Sequence, residues 1–229
     1  MKRILFVNSS LTSGGSERVM SLIANEFSKR DYKVDMVLLY NYGYDTYDVN
    51  DKINVIRFNC ESKIKPIKKI RQVKELRKVL KANKYDAIIS FMQSVNIVTL
   101  IANIGLKNKV IVSERCNPKV RKSFIKNFLS NILYKKAYKI VFQTEEVKKY
   151  FKKDIQNKAV VIPNPVNNSL PEPYKGVREK RIVGIGRLTE QKNFKLLITG
   201  FSKFSKKHSD YILEIYGEGP LLNELQEYS

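Results

Sequence analysis

The sequence predicts an α/β chain: a doubly wound, mainly parallel sheet with helices on both faces, then the first βα units of a second domain of the same kind. Three observations predict it. Short β-branched runs alternate with amphipathic stretches from residue 3 to residue 164, the pattern of repeated βαβ units. Pro163, Pro165, Pro171 and Pro173, with Asn164, Asn167, Asn168 and Ser169, then break that pattern with a composition that continues neither a helix nor a central strand. Beyond the break the alternation restarts, and the sequence ends inside a helix pattern.

In order, ILFVN (4–8) is a strand, and 17–29 is a helix with Val19, Leu22, Ile23 and Phe27 on one face. VDMVLLY (34–40) and INVIRF (53–58) are strands, followed by a basic helix over 64–82. DAIISF (86–91), an apolar helix (95–104), KVIVSE (109–114), a helix (121–136), KIVFQT (139–144) and AVVIPN (159–164) complete the first domain. After the break come RIVGIG (181–186), a helix (193–207), YILEIYG (211–217) and a helix from Pro220. The expected organisation is a first domain over 1–162, a linker over 163–178 and the start of a second domain over 179–229. Two βα units in so few residues cannot close a doubly wound domain.

Composition narrows the function classes. Lys and Arg number 43 against 22 acidic residues, a formal charge of +21, so a polyanionic partner or an anionic membrane surface is expected. Two cysteines, Cys60 and Cys116, have no paired spacing, which fits a reducing compartment. No apolar leader is read in the first residues, and no apolar run approaches the ~20 residues that cross a bilayer, so a soluble or peripheral protein is expected. The single histidine, His208, falls on an expected exposed helix face, and no Cys/His cluster or Ser-His-Asp set is present to hold zinc or activate a nucleophile. No metal or cofactor is expected.

The segment GIGRLTEQKN (184–193) follows a strand and opens a helix. Gly184 and Gly186 allow a tight turn and close approach, Arg187 and Lys192 supply two cations, and the helix from Asn193 points its amide dipole back at the loop. A diphosphate suits that arrangement. A dinucleotide fingerprint would need a third glycine where Thr189 stands, which argues against a nicotinamide dehydrogenase or epimerase. In the first domain, SSLTSGGSER (9–18) joins strand to helix; Gly14 and Gly15 permit backbone approach, and Ser13 or Ser16 is placed to cap the helix and leave amides for an anion. Ligands of open parallel sheets bind at strand carboxyl ends, which also selects residues 91–96 and 113–118. There Glu114 and Arg115 either orient a polar substrate or pair at the border of the core, and Cys116 is a small filler. KPIKKIRQVKELRKVLK (65–81) carries eight cations against Glu75, with Ile67, Ile70, Val73, Leu76 and Leu80 grouped opposite. It either contacts an anionic membrane or lipid phosphate, or is a solvated scaffold helix. In the next helix Phe124, Ile125, Phe128, Leu129, Ile132 and Leu133 are expected in the core.

Together the Gly-Gly-Ser-Glu-Arg loop, VIPNPV, GIGRLTEQKN and YGEGP, in that order over the whole chain, resemble the family 4 retaining glycosyltransferases, whose GT-B fold has two facing Rossmann-like domains. Residues 88–118 resemble most those members that extend undecaprenyl-diphosphate-linked glycans with N-acetylgalactosamine or related sugars. The resemblance implies a UDP-sugar donor as substrate, a lipid-linked or polysaccharide acceptor, and a cytoplasmic location peripheral to the inner membrane face. It implies that Gly186, Arg187 and Lys192 hold the donor diphosphate, and that Gly217, Glu218 and Gly219 lie near the nucleotide. Gly14, Gly15, Ser16, Glu114 and Arg115 would face acceptor and donor, while Lys68, Arg71, Lys74, Arg77 and Lys78 would meet the lipid pyrophosphate or membrane. The sequence departs from the family pattern in two places. Arg115 stands where many relatives have a histidine, and no two glutamates are eight apart, so the E-x7-E pair of the second domain is expected beyond Ser229 and this chain alone is expected to be inactive. Two other readings stay open: a partner half completed by a separate chain, and a basic nucleic-acid-binding module, although no recognisable nucleic-acid motif is found.

Overall fold

The computed structural model describes residues 1–12, 14–116, 118, 123–165 and 172–228. Two compact units are separated, residues 1–167 and 168–229.

In the first unit, strands β1 (Arg3–Asn8), β2 (Lys33–Leu38), β3 (Asn54–Arg57), β4 (Ala87–Phe91), β5 (Val110–Ser113), β6 (Lys139–Phe142) and β7 (Ala159–Val161) form one sheet, order β3-β2-β1-β4-β5-β6-β7. Every pairing is parallel. The helices are α1 (Gly15–Lys29), α2 (Lys65–Ala82), α3 (Gln93–Ala102), α4 (Phe124–Leu133), α5 (Glu145–Lys149) and α6 (Lys153–Gln156). Strand order reverses between β1 and β4, so the first crossover and the later ones cover opposite faces. Ile4, Phe6, Val19, Met20, Ala24 and Met36 pack on one face. Leu5, Val7, Leu76, Val98, Tyr134 and Phe142 pack on the other. Fully buried strand residues on both faces are what a continuous apolar strand such as ILFV requires.

Three expectations are corrected here. The inner face of α1 is Val19, Met20, Ser21, Ala24 and Ser28, whereas Leu22 is exposed. On α2 the buried residues are Gln72, Leu76 and Leu80, while Ile67 and Ile70 face solvent; the amide of Gln72 is retained inside because it donates to the Leu39 carbonyl at 2.7 Å. On α4 only Ser130 and Leu133 are buried, so Phe124, Ile125, Phe128 and Ile132 are not core residues. The short helices α5 and α6 have no counterpart in the sequence reading, being too brief to show a helical period.

In the second unit, β8 (Arg181–Ile185) and β9 (Ile212–Tyr216) pair in parallel, with α7 (Phe194–Ser205) and α8 (Leu222–Tyr228). Leu188, Phe194, Ile198 and Leu225 are its core. Gly184 lies within β8, where a Cβ would meet Leu197 and Phe194 at 2.8 and 3.1 Å; it permits close packing of α7 on the strand. His208 lies just past α7, its ring stacked on Phe204 with centroids 4.4 Å apart.

Candidate functional site

The carboxyl ends of β8 and β9 are tied together by backbone. Gly186 N–H donates to Tyr216 O at 3.0 Å, Leu188 N–H to Glu218 O at 2.8 Å, and Leu221 N–H to Leu188 O at 3.2 Å. A Cβ on Gly217 would lie 1.8 Å from Gly186 O, and one on Gly219 2.4 Å from Leu188 O. Both glycines are therefore demanded by the contact between the two loops. Lys192 runs along Gly186, with its Cε 3.5 Å from the position a Cβ there would take.

Lys180, Arg181 and Lys195 are ion-paired with Asp210, with Glu179 and Glu214, and with Glu224. Among the described residues, Arg187 and Lys192 have no such partner, and both are exposed. The N-cap of α7, Asn193, has φ 50 and ψ 49 and makes no side-chain cap bond, so the first amides of a 12-residue helix are not capped by its side chain. Two unpaired cations beside such a terminus, on a loop locked by its neighbour, make a surface suited to a diphosphate.

At the carboxyl rim of the first unit, Gly14 is the N-cap of α1 and Gly15 its first residue. Ser13 lies outside the described residues. Ser16 does not cap the helix: its hydroxyl donates to Glu17 Oε2 at 2.5 Å, and Ser9 Oγ donates to Glu17 Oε1 at 3.1 Å. The Glu17 carboxylate folds back over Gly14, its Oε2 2.3 Å from where a Cβ would sit. The anion at this helix start is thus the chain's own carboxylate, a role that the residue's first-turn position could have suggested.

Glu114 and Arg115, adjacent in sequence, have different surroundings. Glu114 is buried and accepts hydrogen bonds from Tyr134 OH at 2.7 Å and from the Arg115 and Cys116 amides at 3.2 and 3.4 Å. Tyr134 OH in turn accepts from Asn96 Nδ2 at 3.0 Å, and Asn96 accepts from Ser90 Oγ at 2.8 Å. This buried network fixes the ends of β4 and β5, so Glu114 serves as an anchor of the rim. The guanidinium of Arg115 stacks 4.1 Å over the Phe91 ring and its Nη1 donates to Asn164. Its Nε is buried without a partner, and burial pulls its pKa down to about 10. Met92, between β4 and α3, has φ 73, a strained conformation for a side-chain-bearing residue that is found most often near binding sites. Phe91 lies in the rim segment 91–96 that the sequence selects, whereas Glu17 and Asn164 carry no signal in the sequence beyond their places in a first helical turn and a Pro/Asn-rich stretch.

The cations of α2 divide into engaged and free. Arg77 Nη1 donates to the carbonyls of Ala102 and Ile104 at 2.8 and 2.7 Å, closing the end of α3. Lys78 pairs with Glu75 at 2.7 Å. Arg71 donates to the Glu61 carbonyl at 2.6 Å. Lys68 lies 4.6 Å over the Tyr40 ring, and Lys69 donates to Tyr40 OH at 3.1 Å. Burial raises the Tyr40 phenol pKa, but the Lys69 bond and charge lower it more, for a net fall. Lys74 is exposed. A small cavity of about 90 Å³ beside Lys68 is lined by Tyr40, Tyr42, Asn59 and Glu61. Among the described residues no group of three His, Cys, Asp or Glu could hold a metal ion, and no helix is long and apolar enough to cross a membrane.

With this geometry in hand, known proteins give a consistent comparison. The sequence model of Glycosyltransferase Family 4 matches residues 13–170. The chain is 27% identical over 233 residues to a Campylobacter jejuni α-1,4-N-acetyl-D-galactosaminyltransferase named for a diNAcBac-PP-undecaprenol-linked substrate, covering 99% of this chain and 64% of that protein. It is 31% identical over 208 residues to an uncharacterized glycosyltransferase of Methanocaldococcus jannaschii, 77% of this chain and 51% of the relative. Anabaena HepE in complex with UDP and glucose matches with a TM-score of 0.73 at 17% identity, over 100% of this chain and 64% of that one. Sucrose-phosphate synthase from Thermosynechococcus elongatus matches with a TM-score of 0.75 at 12% identity, over 100% and 68%. The fold is thus that of the GT-B proteins, and the chain spans 64% or less of the length of these two curated relatives. On the family match over most of its length, the chain belongs to glycosyltransferase family 4.

Proposed function

We propose that this chain forms the acceptor-side domain and the opening of the donor domain of a retaining glycosyltransferase that moves a hexose or N-acetylhexosamine from a UDP-sugar to a lipid-linked or envelope glycan. The observation that carries the reading is the pair of unpaired cations, Arg187 and Lys192, on a loop locked to Gly217–Gly219 beside the uncapped start of α7. In the reaction the bond from the sugar C1 to the diphosphate oxygen breaks, and a bond from C1 to the acceptor hydroxyl oxygen forms on the same face. UDP leaves with the electron pair, and the acceptor proton passes to a phosphate oxygen. Negative charge gathers on the leaving diphosphate, where fixed cations and helix amides stabilise it without a required metal.

Names of relatives support the acceptor class: one Campylobacter jejuni protein, 27% identical over 94% of this chain, is an N-acetylgalactosamine-N,N'-diacetylbacillosaminyl-diphospho-undecaprenol N-acetylgalactosaminyltransferase. Anabaena HepE is described in complex with UDP, and with UDP-glucose. We assign Lys68 and Lys74 of α2, with Arg71, to the acceptor's pyrophosphate at an anionic membrane surface on the cytoplasmic side, and leave Arg77 and Lys78 to the structural contacts described above. We assign Arg115, at the carboxyl rim of the first unit, to the acceptor, its backbone amide held by the Glu114 carboxylate.

Titration of UDP into the chain, followed by saturation-transfer NMR, tests the reading. UDP protons should gain saturation from wild type, and Arg187→Ala/Lys192→Ala should cut that transfer several-fold, given the strength of charge-assisted phosphate contacts. Equal transfer in both proteins would remove these residues from the site.

A further inference from the structure

Four tyrosines fall within eight residues, YNYGYDTY over 40–47, on the loop that leaves the carboxyl end of β2. The loop is anchored at both ends. Tyr40 N–H donates to Ser9 O at 2.9 Å, Thr46 N–H to Leu11 O at 2.9 Å, and Asn50 N–H to Asn25 Oδ1 at 2.7 Å. These bonds fasten it to α1 and to the loop before α1 that carries Gly14. Between them the turn is set locally: Gly43 has φ 78 and donates its N–H to Asn41 Oδ1 at 3.2 Å, while Asn41 Nδ2 donates to Asn59 Oδ1 at 3.2 Å. The turn lays the Tyr42 ring on that of Tyr40, centroids 5.9 Å apart and 18° from parallel. Tyr40 is itself fixed by Lys69 at its hydroxyl and Lys68 over its ring. Tyr42 nevertheless stays 57% exposed, and Tyr44 64%. A core aromatic hides both faces, whereas here a fastened loop offers a rigid ring to solvent.

The cavity of about 90 Å³ that Tyr42 borders has room for about three water molecules. Its buried lining, Leu39, Phe58 and Cys60, is apolar, and its outer lining, Asn59, Glu61 and Lys68, is polar. The Glu61 carboxylate has no hydrogen-bond or ion-pair partner among the described residues; only its backbone carbonyl is engaged, by Arg71. An aromatic face beside a small, half-apolar cavity edged by a carboxylate, an amide and an ammonium matches a sugar ring that carries an acetamido group. The C–H face of a pyranose presents weakly positive hydrogens, which suit the negative face of an aromatic ring. The acetamido methyl covers the apolar lining, its N–H donates to Glu61, and its oxygen accepts from Asn59 or Lys68. A hydroxyl in the same place is too small to cover that lining and forfeits those contacts.

We propose that Tyr40, Tyr42, Asn59 and Glu61 form a subsite for an N-acetylated sugar ring of the acceptor, beside the pyrophosphate assigned to Lys68. Tyr42 supplies the stacking face, and the cavity reads the acetamido group. The subsite rests on the acceptor part of the proposed function for its purpose, and it narrows that acceptor from sugars in general to one with an acetamido group at this ring. Binding of a free sugar to the first unit needs neither donor nor transfer. Its failure is therefore readable apart from a failure of UDP to bind the loop of the second unit.

Saturation-transfer NMR of residues 1–229 with N-acetylgalactosamine, and separately with galactose, tests the subsite. The acetyl methyl protons should gain the largest saturation, and galactose protons should gain several-fold less. Tyr42→Ala should cut the methyl saturation about fivefold, the scale of one lost aromatic contact. Glu61→Gln should lower it several-fold, because a charged acceptor is replaced by a neutral one. Tyr174→Ala, which removes an exposed tyrosine of the second unit, should leave it unchanged. Far-UV circular dichroism checks that each variant is folded. Saturation of neither sugar, equal saturation of the two, or wild-type saturation in folded Tyr42→Ala would each overturn the assignment. So would displacement of the sugar by UDP, since the rings would then belong to a nucleotide site.

Discussion

Arg115 brings a cation into a half-buried position and leaves its Nε without a partner. Burial is the cause of its lowered pKa, and nothing near it in the described rim offsets that cost as a carboxylate partner would. Arg115→Met keeps an apolar stem over the Phe91 ring and removes the desolvated charge, so it is predicted to be neutral or to stabilise the first unit by up to about 2 kcal/mol. Urea midpoints check this, and a loss above about 1 kcal/mol would show that the guanidinium is structural. The sequence made Glu114 and Arg115 equal candidates because both follow a strand end. What separates them is the Tyr134 hydroxyl, 20 residues away and brought in by the turn after α4. No local pattern announces that contact.

At the scale of elements, two loops and one helix carry the account. Gly217 is held against the Gly186 carbonyl, so Gly217→Ala forces the loops apart. It is predicted to cost more than about 2 kcal/mol of local stability in the second unit, as overpacking against backbone does. Faster amide exchange at residues 186–188 and 217–221, with unchanged exchange in the first unit, is the expected reading. On α2, Arg77→Ala removes bonds to two carbonyls at the end of α3, so a loss of about 1–2 kcal/mol is predicted, whereas Lys74→Ala should be silent in thermal unfolding. The sequence presented both as members of one basic face. The strands and most helices were legible because apolar runs and β-branched residues report burial on both faces of a parallel sheet, whereas the strand order is not written in those runs. The apolar face of α4 was misread because an i, i+4 pattern states only that one side is apolar, and not which way it points. The mid-chain helices α5 and α6 were missed because five and four residues are too few to repeat the helical period.

For the whole molecule, the two units differ in how much they can bury. The first has both faces of a seven-stranded sheet covered, while the second rests on two strands and a core of Leu188, Phe194, Ile198 and Leu225. Val183, Ile185, Ile212 and Tyr216 remain exposed on its strands. The likeness to HepE covers 64% of that chain. The strand and helix that flank residues 186–193 were legible from sequence, whereas the packing that fixes the loop required the contact between Leu188 and Glu218 in a second loop. Hydrogen exchange of residues 1–229 with and without UDP reads the Arg187–Lys192 loop itself. Slowed exchange at 186–196 and 217–222 is expected on adding UDP, abolished by Arg187→Ala/Lys192→Ala. Unchanged exchange in those segments at saturating UDP, or protection that survives the double substitution, would contradict the diphosphate assignment.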